Sequence, residues 1–204
     1  MSSIKLTADS GGGTFELKAP SSGSNARVMT LPDSADGTIL TTTNPKAGNI
    51  IQVVSTTKTT STSTTTSGSF TDISGMSVSI TPSFTSSKIL ILISLGSISS
   101  GAGVSVGFRL LRGSTAVGNA TNTTLQSGFT NIYGGEASTD KHLMSASHNF
   151  LDSPSTTSST TYKLQWRNSS GTSYLNRYNG SSDSYNGSST CLLYTSPSPR
   201  DTRE

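Results

Sequence analysis

Short apolar runs that alternate with polar residues recur along most of this chain, and they constrain its fold more than any other feature. In the run Met76, Val78, Ile80 every second residue is apolar, which is the period of a strand with one buried face. Such runs return roughly every 8 to 15 residues between turn-forming residues, as in antiparallel sandwiches and jelly rolls. The sequence therefore predicts an all-β protein with a jelly-roll-like antiparallel β-sandwich and no helix longer than one turn.

The composition indicates a thin core rather than disorder. Apolar residues make up 30% of the chain, against about 45–50% in typical globular domains, and Ser and Thr together supply about a third of the residues. Disordered chains usually combine few β-branched residues with high net charge. Here the formal net charge is only +3, and β-branched residues, which favour strands, are plentiful.

Several classes of partner are disfavoured by the charge pattern and by the apolar stretches. The 14 Lys and Arg residues are scattered, so no basic patch for nucleic acid is expected. The longest apolar stretch, Ile89–Leu95, is far shorter than the roughly 20 residues that cross a membrane. The segment Met1–Asp9 lacks the pattern of a signal peptide, so we expect no Sec export. A single cysteine, Cys191, excludes an intrachain disulfide.

Residues 191–204 differ from the rest of the chain because they are neither rich in Gly, Ser and Thr nor alternating. Back-translated, the eleven residues Cys191–Asp201 resemble a transposon-end sequencing adapter read through in frame. The alternative is a natural, disordered tail that contains proline. On the adapter interpretation, we expect the natural protein to continue differently after Thr190, with a closing strand that this chain lacks and no cysteine.

Residues 1–46 contain short alternating runs separated by turn signals, and we interpret them as a β-rich stem. The clearest runs are Ile4, Leu6 and Phe15, Leu17; further ones include Met29, Leu31, Ile39 and Leu40. A segment this short with so few apolar groups cannot bury enough surface alone. We therefore expect three chains to share one interior in a homotrimer.

A turn signal at Asn44-Pro45 places the domain boundary near residue 46, so the sandwich head is predicted to span residues 47–190. Lys88–Ile98, a near-continuous apolar run, should be the central strand. The Thr-rich segment 55–68 is either an extended strand or a loop. The remaining strands are predicted at 50–54, 76–80, 104–111, 115–117, 142–151, 161–167 and 174–178, with one or two short strands within 119–140.

Segments spread over residues 1–190 resemble tail proteins of aquatic, marine tailed phages, in which similar stems precede receptor-facing heads. These segments are Arg27–Asp33, Asp36–Thr42, Asn44–Val54, Ser79–Pro82, Lys88–Leu90, Leu110–Ser114, Leu151–Pro154 and Thr161–Gln165. The resemblance implies a tail-fibre or receptor-binding virion protein, located in the virion tail. Assembly in the host cytoplasm is expected because Met1–Asp9 lacks the pattern of a signal peptide. It implies contact with other tail proteins and with a host surface glycan or protein. It carries no catalytic residue.

The residues that could carry chemistry favour structural roles. Glycan cleavage needs two carboxylates at a set spacing, and Glu136, Asp140 and Asp152 are the nearest candidates. Asp140 lies in a predicted turn and Asp152 precedes Ser-Pro, which favours a turn former. His142 and His148 share a strand face, but a rise of about 3.3 Å per residue separates them by roughly 20 Å. We therefore predict no enzyme, no metal site and no cofactor.

Exposed aromatic residues near the C-terminal end of the head are the better candidates for receptor binding. Trp166 alternates with Tyr162 and Leu164, so we expect it in the core rather than stacked on a sugar. The polar region 172–188 contains the candidate receptor-binding residues Tyr174, Arg177, Tyr178, Asn179 and Tyr185.

Two functions remain open at this point. The first is a tail fibre or receptor-binding head that recognises a host surface through its loops, with the weak contacts multiplied by trimer avidity. The second is an architectural decoration or baseplate-associated protein without receptor binding. A cell-surface adhesin would require export, which the Met1–Asp9 segment disfavours.

Overall fold

The structure, a computed structural model, describes residues 3–7, 11, 13–18, 50–120, 128–134, 143–178 and 190–197. Within these ranges it contains thirteen strands and no helix, so none that could cross a membrane. The strands are β1 Ser3–Thr7, β2 Thr14–Lys18, β3 Ile50–Lys58, β4 Thr62–Thr64, β5 Thr71–Ile80, β6 Ile89–Ser100, β7 Ser105–Arg112, β8 Thr115–Ala116, β9 Thr130–Tyr133, β10 Met144–Asp152, β11 Thr160–Asn168, β12 Ser173–Leu175 and β13 Thr190–Pro197. The predicted all-β class is confirmed.

The chain divides into two compact units, Met1–Ile39 and Leu40–Glu204. In the first unit β1 and β2 form an antiparallel pair in which Ile4 lies opposite Leu17 and Leu6 opposite Phe15. The two strands predicted there are confirmed. The predicted runs at Met29, Leu31, Ile39 and Leu40 lie outside the described residues.

In the second unit, two antiparallel sheets pack against each other as a β-sandwich. The six-stranded sheet has the order β3-β13-β6-β12-β4, and β10 pairs with the other edge of β6. The prediction that Lys88–Ile98 contains the central strand is confirmed, because β6 pairs with three strands. The five-stranded sheet has the order β5-β11-β7-β8, and β9 also pairs with β7.

The core lies between the sheets and follows the alternation of the sequence. In β6, Ile91, Ile93 and Leu95 are buried, whereas Leu92 and Ser94 between them are exposed. From the opposite sheet, Tyr162, Leu164 and Trp166 of β11 point into the same apolar cluster. Trp166 is therefore a core residue, as predicted.

Strand β5 begins earlier than predicted because it contains a bulge. Gln165 of β11 lies opposite Asp72, but Lys163 lies opposite Ser77, so β5 inserts extra residues between these two pairs. Gly75 within this bulge has a φ of 80°, a conformation that glycine adopts without strain. The bulge shifts the alternation, so that Ile73 and Met76 are both buried although they are three residues apart.

The Thr-rich segment 55–68 is mostly extended, because β3 continues to Lys58 and β4 follows at Thr62–Thr64. The predicted hairpin loop after Arg112 is confirmed. Arg112 pairs with Thr115 across Gly113 and Ser114, and Gly113 has a φ of 58°, as such tight turns require.

Residues 190–197 form a strand inside the six-stranded sheet. Strand β13 pairs with β3 on one side and with β6 on the other, and Leu192 is fully buried in the core cluster. The expectation that this chain lacks a closing strand is therefore wrong: residues from the segment that resembles adapter sequence fill the position between β3 and β6.

Candidate functional site

One strand of the six-stranded sheet is interrupted, and three of the candidate receptor-binding residues, Tyr174, Arg177 and Tyr178, lie at the interruption. Strands β12 and β13 follow each other along the same edge of β6, with Leu175 opposite Ile98 and Cys191 opposite Ser94. These two positions on β6 are 98 − 94 = 4 residues apart, or about 13 Å at the rise of a strand. The chain thus leaves the sheet after Leu175 and returns to a nearby point at Thr190.

Asn176 anchors the point at which the chain leaves the sheet. Its backbone N–H donates to the carbonyl of Ser97 at 2.7 Å, and its Nδ2 donates to the carbonyl of Lys58 at 2.8 Å. Its φ is 60°, in the left-handed region that Asn tolerates better than most residues. The base of the connection is therefore tied to β6 through Ser97 and to the end of β3 through Lys58.

Tyr174 and Arg177 pack against each other above this base. The guanidinium carbon of Arg177 lies 4.6 Å from the centre of the Tyr174 ring, within the range of a cation–π contact. Ser99 of β6, buried and directly opposite Tyr174, donates from Oγ to the carbonyl of Arg177 at 2.8 Å. Both side chains are half-buried, so the pair presents an aromatic and cationic surface on a fixed backbone.

Of the five candidate receptor-binding residues, the structure brings Tyr174 and Arg177 into contact. Tyr178, also half-buried, follows Arg177 directly in the chain. Asn179 and Tyr185 lie outside the described residues. The anchoring role of Asn176 was not predicted, and its only local signal is an Asn directly after an apolar strand residue.

The candidate carboxylate Asp152 is a structural residue. It ends β10, is buried, and accepts hydrogen bonds from Arg112 Nη1 at 2.9 and 2.8 Å. The Tyr162 hydroxyl donates to the same carboxylate at 2.5 Å. Burial, then the hydrogen bond to Asp152 and the negative charge of that carboxylate, raise the pKa of Tyr162. Asp152 is thus the last residue of a strand, and the prediction that it forms a turn is wrong. Glu136 and Asp140 lie outside the described residues.

His148 packs against an aromatic ring. Its imidazole stacks on Phe129 with centroids 4.7 Å apart and planes 9° from parallel. Burial lowers the pKa of His148, and a hydrogen bond to the backbone of Gly118 partly opposes this. His142 lies outside the described residues, within which no group of three or more His, Cys, Asp or Glu side chains could hold a metal ion.

The lowered pKa of His148 predicts a pH-dependent stability. Between its ordinary pKa of about 6.5 and its lower folded-state pKa, the unfolded chain binds more protons than the folded chain. Stability should therefore be lost as the pH falls through this window. We expect Tm to decrease from about pH 7.5 to about pH 5.5, and the decrease to be smaller in His148→Gln. Identical dependences of Tm on pH in the two proteins would contradict the assignment to His148.

Comparisons with known proteins identify no family. No family model and no curated protein matches the chain. Among solved structures, it is similar to infectious bursal disease virus Gt strain, with 14% identity, a TM-score of 0.38 and coverage of 92% of this chain and 45% of that chain. It is also similar to infectious bursal disease virus Gx strain, with 14% identity, a TM-score of 0.39 and coverage of 97% of this chain and 46% of that chain. The chain thus spans less than half of the matched chains, and a similarity of this size assigns neither family nor function.

Proposed function

We propose that this chain is a non-enzymatic virion structural protein of a tailed phage, with a tail-fibre or receptor-binding head. On this proposal it is assembled in the host cytoplasm, is located in the virion tail beside other tail proteins, and contacts a surface glycan or protein of the host. The resemblance of residues 1–190 to phage tail proteins supports it. The β-sandwich also supplies a rigid scaffold from which loops can present binding residues.

The observation that carries the proposal is the Tyr174–Arg177 pair at the interrupted strand. Tyr and Arg side chains are enriched at the energetic centres of binding surfaces. Here Asn176 and Ser99 fix the backbone beneath the pair by hydrogen bonds to three carbonyl groups, so little ordering entropy is lost on binding. A half-buried aromatic ring with a guanidinium beside it suits a polar surface such as a glycan.

We further propose that the protein acts as a homotrimer. The pair β1–β2 contains only two short strands, and Leu6 in it is 57% exposed. A unit of this size needs partners to bury apolar groups. Three copies of the head would also multiply weak contacts with a host surface into stable attachment.

Cell binding by the purified full chain tests the receptor-binding proposal. Labelled protein is applied to a panel of aquatic bacterial isolates, and bound label is measured by flow cytometry. On an isolate that binds, Tyr174→Ala and Arg177→Ala should each weaken binding by about tenfold or more, the range for hot-spot residues. The control Tyr133→Ala removes an exposed tyrosine from the five-stranded sheet and should have no effect. Binding that both test variants retain would contradict the proposed surface.

The architectural alternative is favoured by the outer face of the six-stranded sheet. Val53, Leu92 and Leu151 are exposed there, on three different strands. Their outward neighbours Thr57, Ser94 and Ser147 are uncharged. A contiguous face of this kind suits contact with another protein. Incorporation into virions without binding to any cell of the panel would support the architectural role over receptor binding.

A further inference from the structure

The outer face of the five-stranded sheet holds two arginines next to one another. Arg109 of β7 lies opposite Gln165 of β11, and Arg167 of β11 lies opposite Gly107 of β7. The neighbours Phe108 and Trp166 point into the core, so the two arginines lie on the outer face. They are diagonal neighbours, a relation in which long side chains on a sheet can reach each other.

A single aromatic ring holds both guanidinium groups. Phe70, just before β5, has its ring centre 4.3 Å from the guanidinium carbon of Arg109 and 5.7 Å from that of Arg167. The Arg167 side chain crosses Gly107, where an added Cβ would lie 3.7 Å from its Cγ and 3.6 Å from Cζ of Phe70. Both cations are therefore held in place before any ligand arrives.

Positive charge exceeds negative charge in this cluster. Asp72 is the carboxylate beside it, and Lys163 Nζ already donates to Asp72 at 2.8 Å while Gln165 Nε2 donates at 2.6 Å. Arg109 directs its Nε, at 3.1 Å, and its Nη2 to the same oxygen of Gln165. In the part of the chain that the structure describes, two arginines and one lysine thus face one carboxylate.

Arg167 is the unbalanced member of the cluster. It is only 6% exposed, and its guanidinium carbon lies over the Phe70 ring. A cation with so little access to water is costly unless it is paired or hydrogen-bonded. An anion that reached this guanidinium would supply hydrogen-bond acceptors and would relieve the repulsion between Arg167 and Arg109.

We propose that Phe70, Arg109 and Arg167 form a binding site for an oxyanion, namely the carboxylate of an acidic sugar or a phosphate group. The planar guanidinium fork matches either group with paired hydrogen bonds. The site lies on the five-stranded sheet, whereas Tyr174 and Arg177 belong to the six-stranded sheet and the chain that follows it. The proposal therefore goes beyond receptor binding at the latter pair and can succeed or fail independently of it.

Titration of the full chain at constant ionic strength tests the site. Sodium glucuronate, sodium phosphate and the neutral sugar glucose are added separately, and the Nε–Hε signals of the arginines are followed by NMR. We expect saturable binding of at least one anion with a Kd near the millimolar range, about 1 mM, and none of glucose. Binding of both anions indicates a general oxyanion site, whereas binding of one alone identifies a sugar carboxylate or a phosphate as the ligand.

Matched variants localise the binding. Arg167→Lys keeps the charge but removes the fork, and we expect it to weaken binding by about fivefold or more. Arg109→Gln, at a more exposed position, gives the same test if Arg167→Lys fails to fold. Lys88→Gln removes one charge from the exposed residue that donates to Ser153 and should leave binding unchanged. The proposal would be overturned if neither anion showed saturable binding, or if Arg109→Gln left the binding unchanged.

Discussion

Removal of residues 191–204 is expected to abolish cooperative folding of the head, whereas removal of residues 198–204 is not. Strand β13 lies between β3 and β6, and it is the strand through which β3 joins the described six-stranded sheet. Its loss would leave two strand edges with unpaired N–H and C=O groups and would remove Leu192 from the core. We expect the shorter chain to aggregate and to show no sigmoidal thermal transition by circular dichroism.

A point substitution separates the effect of the strand from that of chain length. Leu192→Asp places an unpaired carboxylate in the core, where burial of such a charge costs several kcal/mol. Thr57→Asp changes an exposed residue of the adjacent strand and should shift Tm only slightly. If the chain ending at Thr190 unfolds with the same Tm as the full chain, β13 does not contribute to the head.

Asp152→Ala is expected to destabilise the head by about 2–3 kcal/mol, less than for a fully buried ion pair, because the Arg112 side chain of this pair is 30% exposed. The substitution leaves the Arg112 guanidinium and the Tyr162 hydroxyl without the carboxylate that both contact. Tyr162→Phe removes one hydrogen bond and keeps the packing, so we expect it to lower the free energy of unfolding by about 1–2 kcal/mol. Free energies of unfolding from urea titrations measure both values.

The control for this prediction is the exposed pair Lys163–Asp72, 2.8 Å apart. Because exposed ion pairs contribute little, Lys163→Gln should cost less than about 1 kcal/mol. Equal losses for Asp152→Ala and Lys163→Gln would contradict the structural role assigned to Asp152.

The sequence predicts the strands well because alternation is a local property. The runs around Ile91, Met76 and Leu164 each appear as strands with the expected buried face. The hairpin at Gly113 was also predictable, since two turn residues between apolar runs specify it locally.

Features that depend on pairing between distant segments could not be predicted from local patterns. The bulge in β5 is visible only through its register with β11. The alignment of β12 with β13 along β6 joins segments that are far apart in the chain. The cluster at Phe70 likewise arises because β5 and β7 flank β11.

Only part of the candidate site was predicted, because its geometry also depends on segments that are distant in the chain. Polarity and aromatic content singled out Tyr174 and Arg177, but not their contact with each other. The contact depends on Asn176, whose left-handed conformation turns the chain and whose side chain reaches the β3–β4 link. This role could not be predicted from a local pattern, because it depends on where the distant residue Lys58 lies in the fold.

The central claim, that this chain is a tail-type virion protein, is tested most directly by the source DNA around its gene. We predict that the neighbouring genes encode other virion tail components. A gene neighbourhood without virion components would contradict the account.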